Sequence, residues 1–280
     1  MDAFGHCEAL VREHDKDRFL ATLFAPAAQR APLFALYAFD LEIRHIRDRA
    51  REPMPGEIRL QWWREVISGE RSGEAASHPV AAALAETLAR FSLPRERLDA
   101  MVEAHAFDLY DDPMPGFDVL EAYLRATCAT IFELAALICG ASAAHAGERG
   151  GLAYGLTMLL RSFALNASRR QLFVPVEAFE QGAAAEEIFA GQGSPWLTNA
   201  LGMLRTRARD HVAAFEAELP RVPVATLPAL LPVALVPGYL SLMQRRDYDP
   251  FHSAIELPQW RRQWTLWRAA RRHARMMKAP

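Results

Sequence analysis

Cysteine is scarce in this 280-residue chain, and the three present, Cys7, Cys128 and Cys139, make no disulfide framework. Cys128 and Cys139 share one expected helix and stand about 16 Å apart along it, too far to bridge. Such usage points to a reducing compartment. An excess of charge of one sign is missing as well. The formal net charge is -2, so nucleic acid, which calls for a strongly basic domain, is not an expected partner. No stretch alternates apolar and polar residues with the β-branched enrichment of a sheet. Neither a fixed-period repeat, nor a low-complexity tract, nor a Gly/Ser linker divides the chain. The opening MDAFGHCEALVREHDKDRF mixes acids and bases without an apolar stretch, so no secretory signal or transit peptide is expected and the cytoplasm is the expected location. The nine histidines show no zinc-type spacing, no Gly-rich loop follows a strand, and no nucleophile elbow occurs.

What is present is helical periodicity in a chain that is 51% apolar and 24% charged, enough to bury one large core. The expected fold is a single all-α domain over residues 1–280. Its first clear helix starts near Pro32 and runs to about Asp48; others follow from Glu57 to Gly69, in HPVAAALAETLARF, and in RLDAMVEAHAFDLY. FDVLEAYLRATCATIFELAALICG makes another, Gly151 to Leu165 the next, and a polar link then reaches about Pro195. WLTNALGMLRTRARDHVAAFEAEL precedes a charge-free run from Val222 to Met243, and a last helix begins near Leu257. The charge-free run is long enough to span a bilayer. Its four prolines suit a loop leading into a buried, kinked helix better.

Two segments stand out. In DLEIRHIRD, Asp40, Arg44 and Asp48 fall at i, i+4 and i+8 and line one helical stripe, readable as a solvated ion-pair ladder or as one wall of a site. In GLAYGLTMLLRSFALNASRRQLFVP, Ser162 and Asn166 share a face with Gly151 and Gly155. The glycines would let a neighbouring helix or an apolar ligand approach closely.

Together LATLFAP, ALYAF, RHIRD, LQWWRE, HPVAAAL, FDLY and GLTMLLRSFALNASRRQLFVP, in this order, resemble the squalene/phytoene synthase family from about Asp17 to Pro175, and more weakly to Met243. The resemblance implies an all-α isoprenoid synthase fold. It implies head-to-head condensation of allylic diphosphates, with two DxxxD motifs on facing helices holding Mg²⁺, which stabilises the departing diphosphate. Here the first motif reads Arg44, His45 and Asp48, and the second reads Ser162 and Asn166. By the same resemblance Asp17 replaces a Ser, Phe173 a Tyr, Gln171 an Arg and Phe132 a Gly. Trp62, Trp63, Arg64, His78, Pro79, Asp108, Leu109, Arg161 and Pro175 match the family. The family also includes a divergent branch that serves as a mitochondrial complex I assembly factor, so the leading expectation is a non-catalytic assembly, chaperone or lipid-binding protein. It would carry no metal or cofactor, and its partners would be an isoprenoid or acyl lipid, an anionic membrane surface or a respiratory-complex subunit. The alternative is an active prenyl transferase in which Asp40, Asp48, Asp108 or Asp112 recruits Mg²⁺.

Arg44, Arg47, Arg161, Arg169 and Arg170 would present a cationic mouth for a diphosphate without metal, unless Arg44 and Arg47 pair with Asp40, Glu42 and Asp48. Near the end of the chain Trp260, Trp264 and Trp267 form a stripe flanked by Arg268 and Arg271. That pattern suits an interfacial helix at the inner face of a membrane, or a terminal helix whose tryptophans dock on the core.

Overall fold

The computed structural model describes residues 2–50, 52–179 and 185–276. It is 78% helical and has no strand among the described residues, the all-α fold expected. The helices used below are α1 (Ala3–His14), α2 (Lys16–Thr22), α3 (Ala27–Arg44), α4 (Pro53–Ser68), α5 (Pro79–Phe91) and α6 (Arg95–Ala104). They continue as α7 (Phe117–Leu124), α8 (Thr130–Ile138), α9 (Ala144–Arg161), α10 (Pro195–Glu218), α11 (Val236–Leu242) and α12 (Gln259–Met276).

Local chemistry sets most of these boundaries. Asp2 and Asp15 cap α1 and α2 by accepting from the Gly5 and Arg18 amides, each satisfying a donor that has no partner within its helix. His78 caps α5, its Nδ1 accepting from the Ala81 amide at 3.3 Å, with Pro79 at the first helical position. Gly69 ends α4 with φ +96°, the left-handed conformation glycine adopts without penalty. Trp63 is buried on α4, its ring 5.1 Å from Phe39 of α3.

Three expectations are corrected. The first helix is α1, well before Pro32, and α3 stops at Arg44 rather than Asp48, with Ile46–Arg49 forming a separate turn. α9 begins at Ala144 instead of Gly151, because its glycines are packing sites rather than breaks. A Cβ on Gly151 would lie 2.3 Å from the Ala129 Cα, and one on Gly155 2.8 Å from Leu124, so only glycine admits the neighbour this closely. That neighbour is a π-helical turn, Arg125–Ala129, which joins α7 to α8 in one long run. The close approach foreseen for these two glycines is therefore to a helix.

The core is built around α3, α8 and α9, with α10 alongside α9, and α1 and α5 against α3. Phe39, Ile43, Phe132, Leu134, Leu152 and Leu156 are among its buried members. The charge-free stretch has the length and hydropathy of a membrane span, Val224–Leu242, but 67% of its 18-residue window is buried inside the protein. Its prolines break it into short 3-10 and α-helical turns that pack against α8, α9 and α12.

Candidate functional site

α3 and α9 bring the two motif segments together, and both helices break at the motif. His45 has φ -91° and ψ 5°, Ser162 φ -91° and ψ 6°. Each interruption turns the chain into a short second helix, Ile46–Arg49 in one case and Phe163–Ser168 in the other. Between them lies a pocket of about 280 Å³, lined by Arg44, His45, Arg47, Asp48, Ser162, Asn166 and Arg169, with Asp40, Asp108 and Cys128 among its deeper walls.

The charges around this pocket already face counter-charges, although Arg44 Nε makes no hydrogen bond among the described residues. Asp48 meets Arg169 at 2.5 Å. Arg47 holds Asp111 at 2.6 Å and also donates to the Leu109 carbonyl. Arg44 Nε stands 3.5 Å from Asp40 Oδ2. Asp40 is itself 2% exposed and takes its stronger bond, 2.5 Å, from Arg18 of α2. Burial alone would raise the Asp40 carboxyl, but Arg18 and Arg44 beside it outweigh that and hold it below the ordinary carboxylate range. Arg18 is fully buried among the Tyr37 and Tyr154 rings, 5.1 and 5.5 Å from its guanidinium carbon. Its Nε and Nη2 have no hydrogen-bond partner among the described residues, so the aromatic faces and Asp40 carry its charge. His45, edge-on to His14, is lowered from its ordinary value by burial and by the neighbouring Arg44.

Of the five-arginine mouth, Arg44, Arg47 and Arg169 line the pocket and Arg161 and Arg170 do not. Arg161 is not on the pocket wall: it pairs with Asp17 at 3.4 Å and Glu256 at 2.8 Å, and lies over the Tyr239 ring. Arg170 adopts φ +58°, which turns its side chain outward to Glu186 and the ring of Phe189. Of the displaced acidic site, Asp40, Asp48 and Asp108 do line the pocket, but Asp40 is held by Arg18 and Asp48 by Arg169. Asp108 is tied to His105 at 2.6 Å and to the Tyr123 hydroxyl at 2.9 Å, whereas Asp112 is exposed and off the pocket wall.

These donors do not fit Mg²⁺, which wants oxygen ligands in near-octahedral array. A guanidinium stands at the first motif position, a hydroxyl and an amide at the second, and the surviving carboxylate, Asp48, is held by Arg169. Among the described residues no three His, Cys, Asp or Glu side chains gather as metal ligands. The thiols are free, and burial raises all three, Cys7 to about 12 and Cys139 to about 11, which leaves them poor nucleophiles.

Sequence reasoning missed a second buried network. Asp17, 3% exposed, accepts from the Tyr239 hydroxyl at 2.7 Å and meets Arg262 of α12 at 2.9 Å. Arg262 also holds Glu256. The one signal for it was the acidic residue at a position where the family has a serine. At the other face of α12, Trp260, Trp264 and Trp267 are exposed, at 68%, 54% and 38%. They do not dock on the core; Arg262, Leu266 and His273 occupy the buried face instead. Residues 277–280 of the proposed terminal helix lie outside the described residues.

A bundle whose two interrupted helices face each other across a polar pocket is the architecture of an all-α isoprenoid synthase. The chain belongs to the squalene/phytoene synthase family, whose profile matches residues 11–268. Among its relatives is NADH dehydrogenase (ubiquinone) complex I, assembly factor 6 of Bos taurus, 27% identical over 255 residues, covering 90% of this chain and 77% of that one. Another is the 15-cis-phytoene synthase of Synechococcus elongatus, 22% identical over 282 residues, with 95% and 91% covered. A dehydrosqualene synthase crystallised with a ligand has the same fold, with a TM-score of 0.83 at 17% identity over 98% of this chain and 97% of that one.

Proposed function

We propose that this chain is a non-catalytic member of the family that assists assembly of a respiratory NADH dehydrogenase, working in the cytoplasm at the inner face of the membrane. The observation that carries the reading is the pairing at the motif positions: Arg44 with Asp40, and Asp48 with Arg169, where a synthase needs free carboxylates for Mg²⁺. A diphosphate entering the pocket would have to break these pairs, and would gain from each arginine only the difference between its own phosphate oxygens and the carboxylate it displaces. The similarity to a complex I assembly factor over nine-tenths of the chain supplies the direction of the reading.

Two measurements test it together. The purified chain, given farnesyl or geranylgeranyl diphosphate with Mg²⁺, should release no pyrophosphate above a protein-free control. Deleting its gene should lower membrane NADH:quinone oxidoreductase activity and leave a subassembly on native gels, restored by the wild-type gene. Metal-dependent turnover, or an unaltered complex in the deletion strain, overturns the proposal.

A further inference from the structure

α12 carries three Trp and six Arg residues and no carboxylate at all. Trp260, Trp264, Trp267 and Arg271 follow one another four, three and four residues apart, so they occupy one stripe on the face opposite Leu266. Trp264 and Trp267 stack with centroids 4.9 Å apart, and the Arg271 guanidinium lies 4.3 Å over Trp267. Among the described residues Arg261, Arg268, Arg271, Arg272 and Arg275 form no ion pair, unlike Arg262, whose partners are Asp17 and Glu256.

Beside this stripe lies a cavity of about 660 Å³ between α10, the proline-rich segment and α12. Its floor is apolar, formed by Phe215, Leu219, Leu227, Leu230, Ala234 and Pro237. Its rim is formed by Trp264, Trp267, Arg268, Arg271, Arg272 and Arg275, and Glu216 is the one carboxylate on the wall among the described residues. The volume is within the roughly 300–1,000 Å³ of small-molecule sites. An apolar trough edged by unpaired guanidiniums and amphipathic indoles matches a molecule with a hydrocarbon chain below and a phosphate above.

We propose that this groove and stripe dock an anionic phospholipid of a bilayer: one acyl chain enters the groove, the phosphate rests among Arg268, Arg271, Arg272 and Arg275, and the tryptophans settle at the headgroup level. The inference shares with the assembly reading only its membrane location, since it uses neither the motif pocket nor any property of a respiratory complex. Charge complementarity decides the occupant. An apolar helix of another protein would fill the floor equally well, but would leave the arginines on the rim without counter-charge.

The test uses the full chain and vesicles of phosphatidylglycerol mixed with phosphatidylcholine, against vesicles of phosphatidylcholine alone. The chain should float with the anionic vesicles only, and lipid brominated on its acyl chains should quench the tryptophan fluorescence. Arg268→Glu with Arg271→Glu should weaken binding at least about thirtyfold, at roughly fivefold per basic residue lost, with Tm unchanged. Ala234→Phe, which fills the groove, should weaken binding and reduce quenching while the far-UV spectrum keeps its native form. Equal binding to neutral vesicles, no binding to either, absent quenching, or wild-type affinity in the arginine variant overturns the proposal. So does wild-type affinity in a folded Ala234→Phe protein, which would place any lipid on the surface and leave the groove out.

Discussion

The motif pocket and the outer face of α12 are both rich in arginine, yet they treat it in opposite ways. Around the pocket Arg18, Arg44, Arg47 and Arg169 each meet a carboxylate, and Asp40 and Arg18 are buried together. On α12 the exposed arginines meet none among the described residues. Paired, buried charge holds a structure in place, because separating it strands an ion in a low dielectric. Unpaired, exposed charge contributes little to the fold and stays free for a partner. The motif positions are thus tied into the scaffold, and the accessible charge lies near the other end of the chain.

The contrast is broken most directly at its strongest point. Asp40→Ala should cost about 3–5 kcal/mol in chemical denaturation, since it leaves Arg18 buried without its closest carboxylate. A loss below about 1 kcal/mol would mean that the pocket charges are no more structural than those on α12.

The next effect is one of pH. His45 at the pocket and His273 on the buried face of α12 are both lowered, each mainly by burial, His45 further by Arg44 and His273 despite its contact with the Val222 carbonyl. The unfolded chain therefore takes up protons at a higher pH than the folded one. The stabilisation from these neutral histidines is present above their ordinary value of 6.5 and is lost as pH falls through their folded values. Tm should decline as pH drops below about 6.5, and His45→Gln together with His273→Gln should reduce that slope, leaving the part due to His78 and His211, which burial also lowers; an unchanged slope would place its origin elsewhere. The smallest effect belongs to Asp48→Asn, whose pair with Arg169 is about one-third exposed. It should cost no more than about 1 kcal/mol in the same denaturation experiment. A larger loss would extend the buried character of the pocket out to its rim.

Much of the fold was legible because helix periodicity, prolines at first turns and the Gly69 stop are local signals. The start of α9 was not, since Gly147, Gly150 and Gly151 look like breakers until Glu133, Val233, Phe215 and Ala129 are placed against them. The motif positions were identified through the family resemblance, and the structure brings Arg44, Asp48, Ser162 and Asn166 to one pocket as expected. The Arg44–Asp40 pair was legible as an i, i+4 contact, whereas the Asp48–Arg169 pair was not, because Arg169 reaches Asp48 across more than a hundred residues of chain. Arg161 was misplaced for a geometric reason: adjacent residues on a helix point about 100° apart, so if Ser162 lines the pocket its neighbour turns toward Asp17. The run HDKDRF shows in the sequence only as a mix of acids and bases, yet Asp15, Asp17 and Arg18 are all buried, an outcome set by distant α3, α9 and α12.

The Asp17 network also sets an order of events during synthesis. Asp17 emerges from the ribosome early, while its Tyr239 partner lies 222 residues further on and Arg262 later still. Arg161 of α9 supplies a first counter-charge at 3.4 Å, but until α12 has been translated Asp17 lacks its nearer one, Arg262 at 2.9 Å. The final contacts of α2 are therefore late and long-range, of the kind that slows folding. A chain that ends before Arg262 would lack the guanidinium that meets Asp17 at 2.9 Å, and with it the contact that ties α2 to α12.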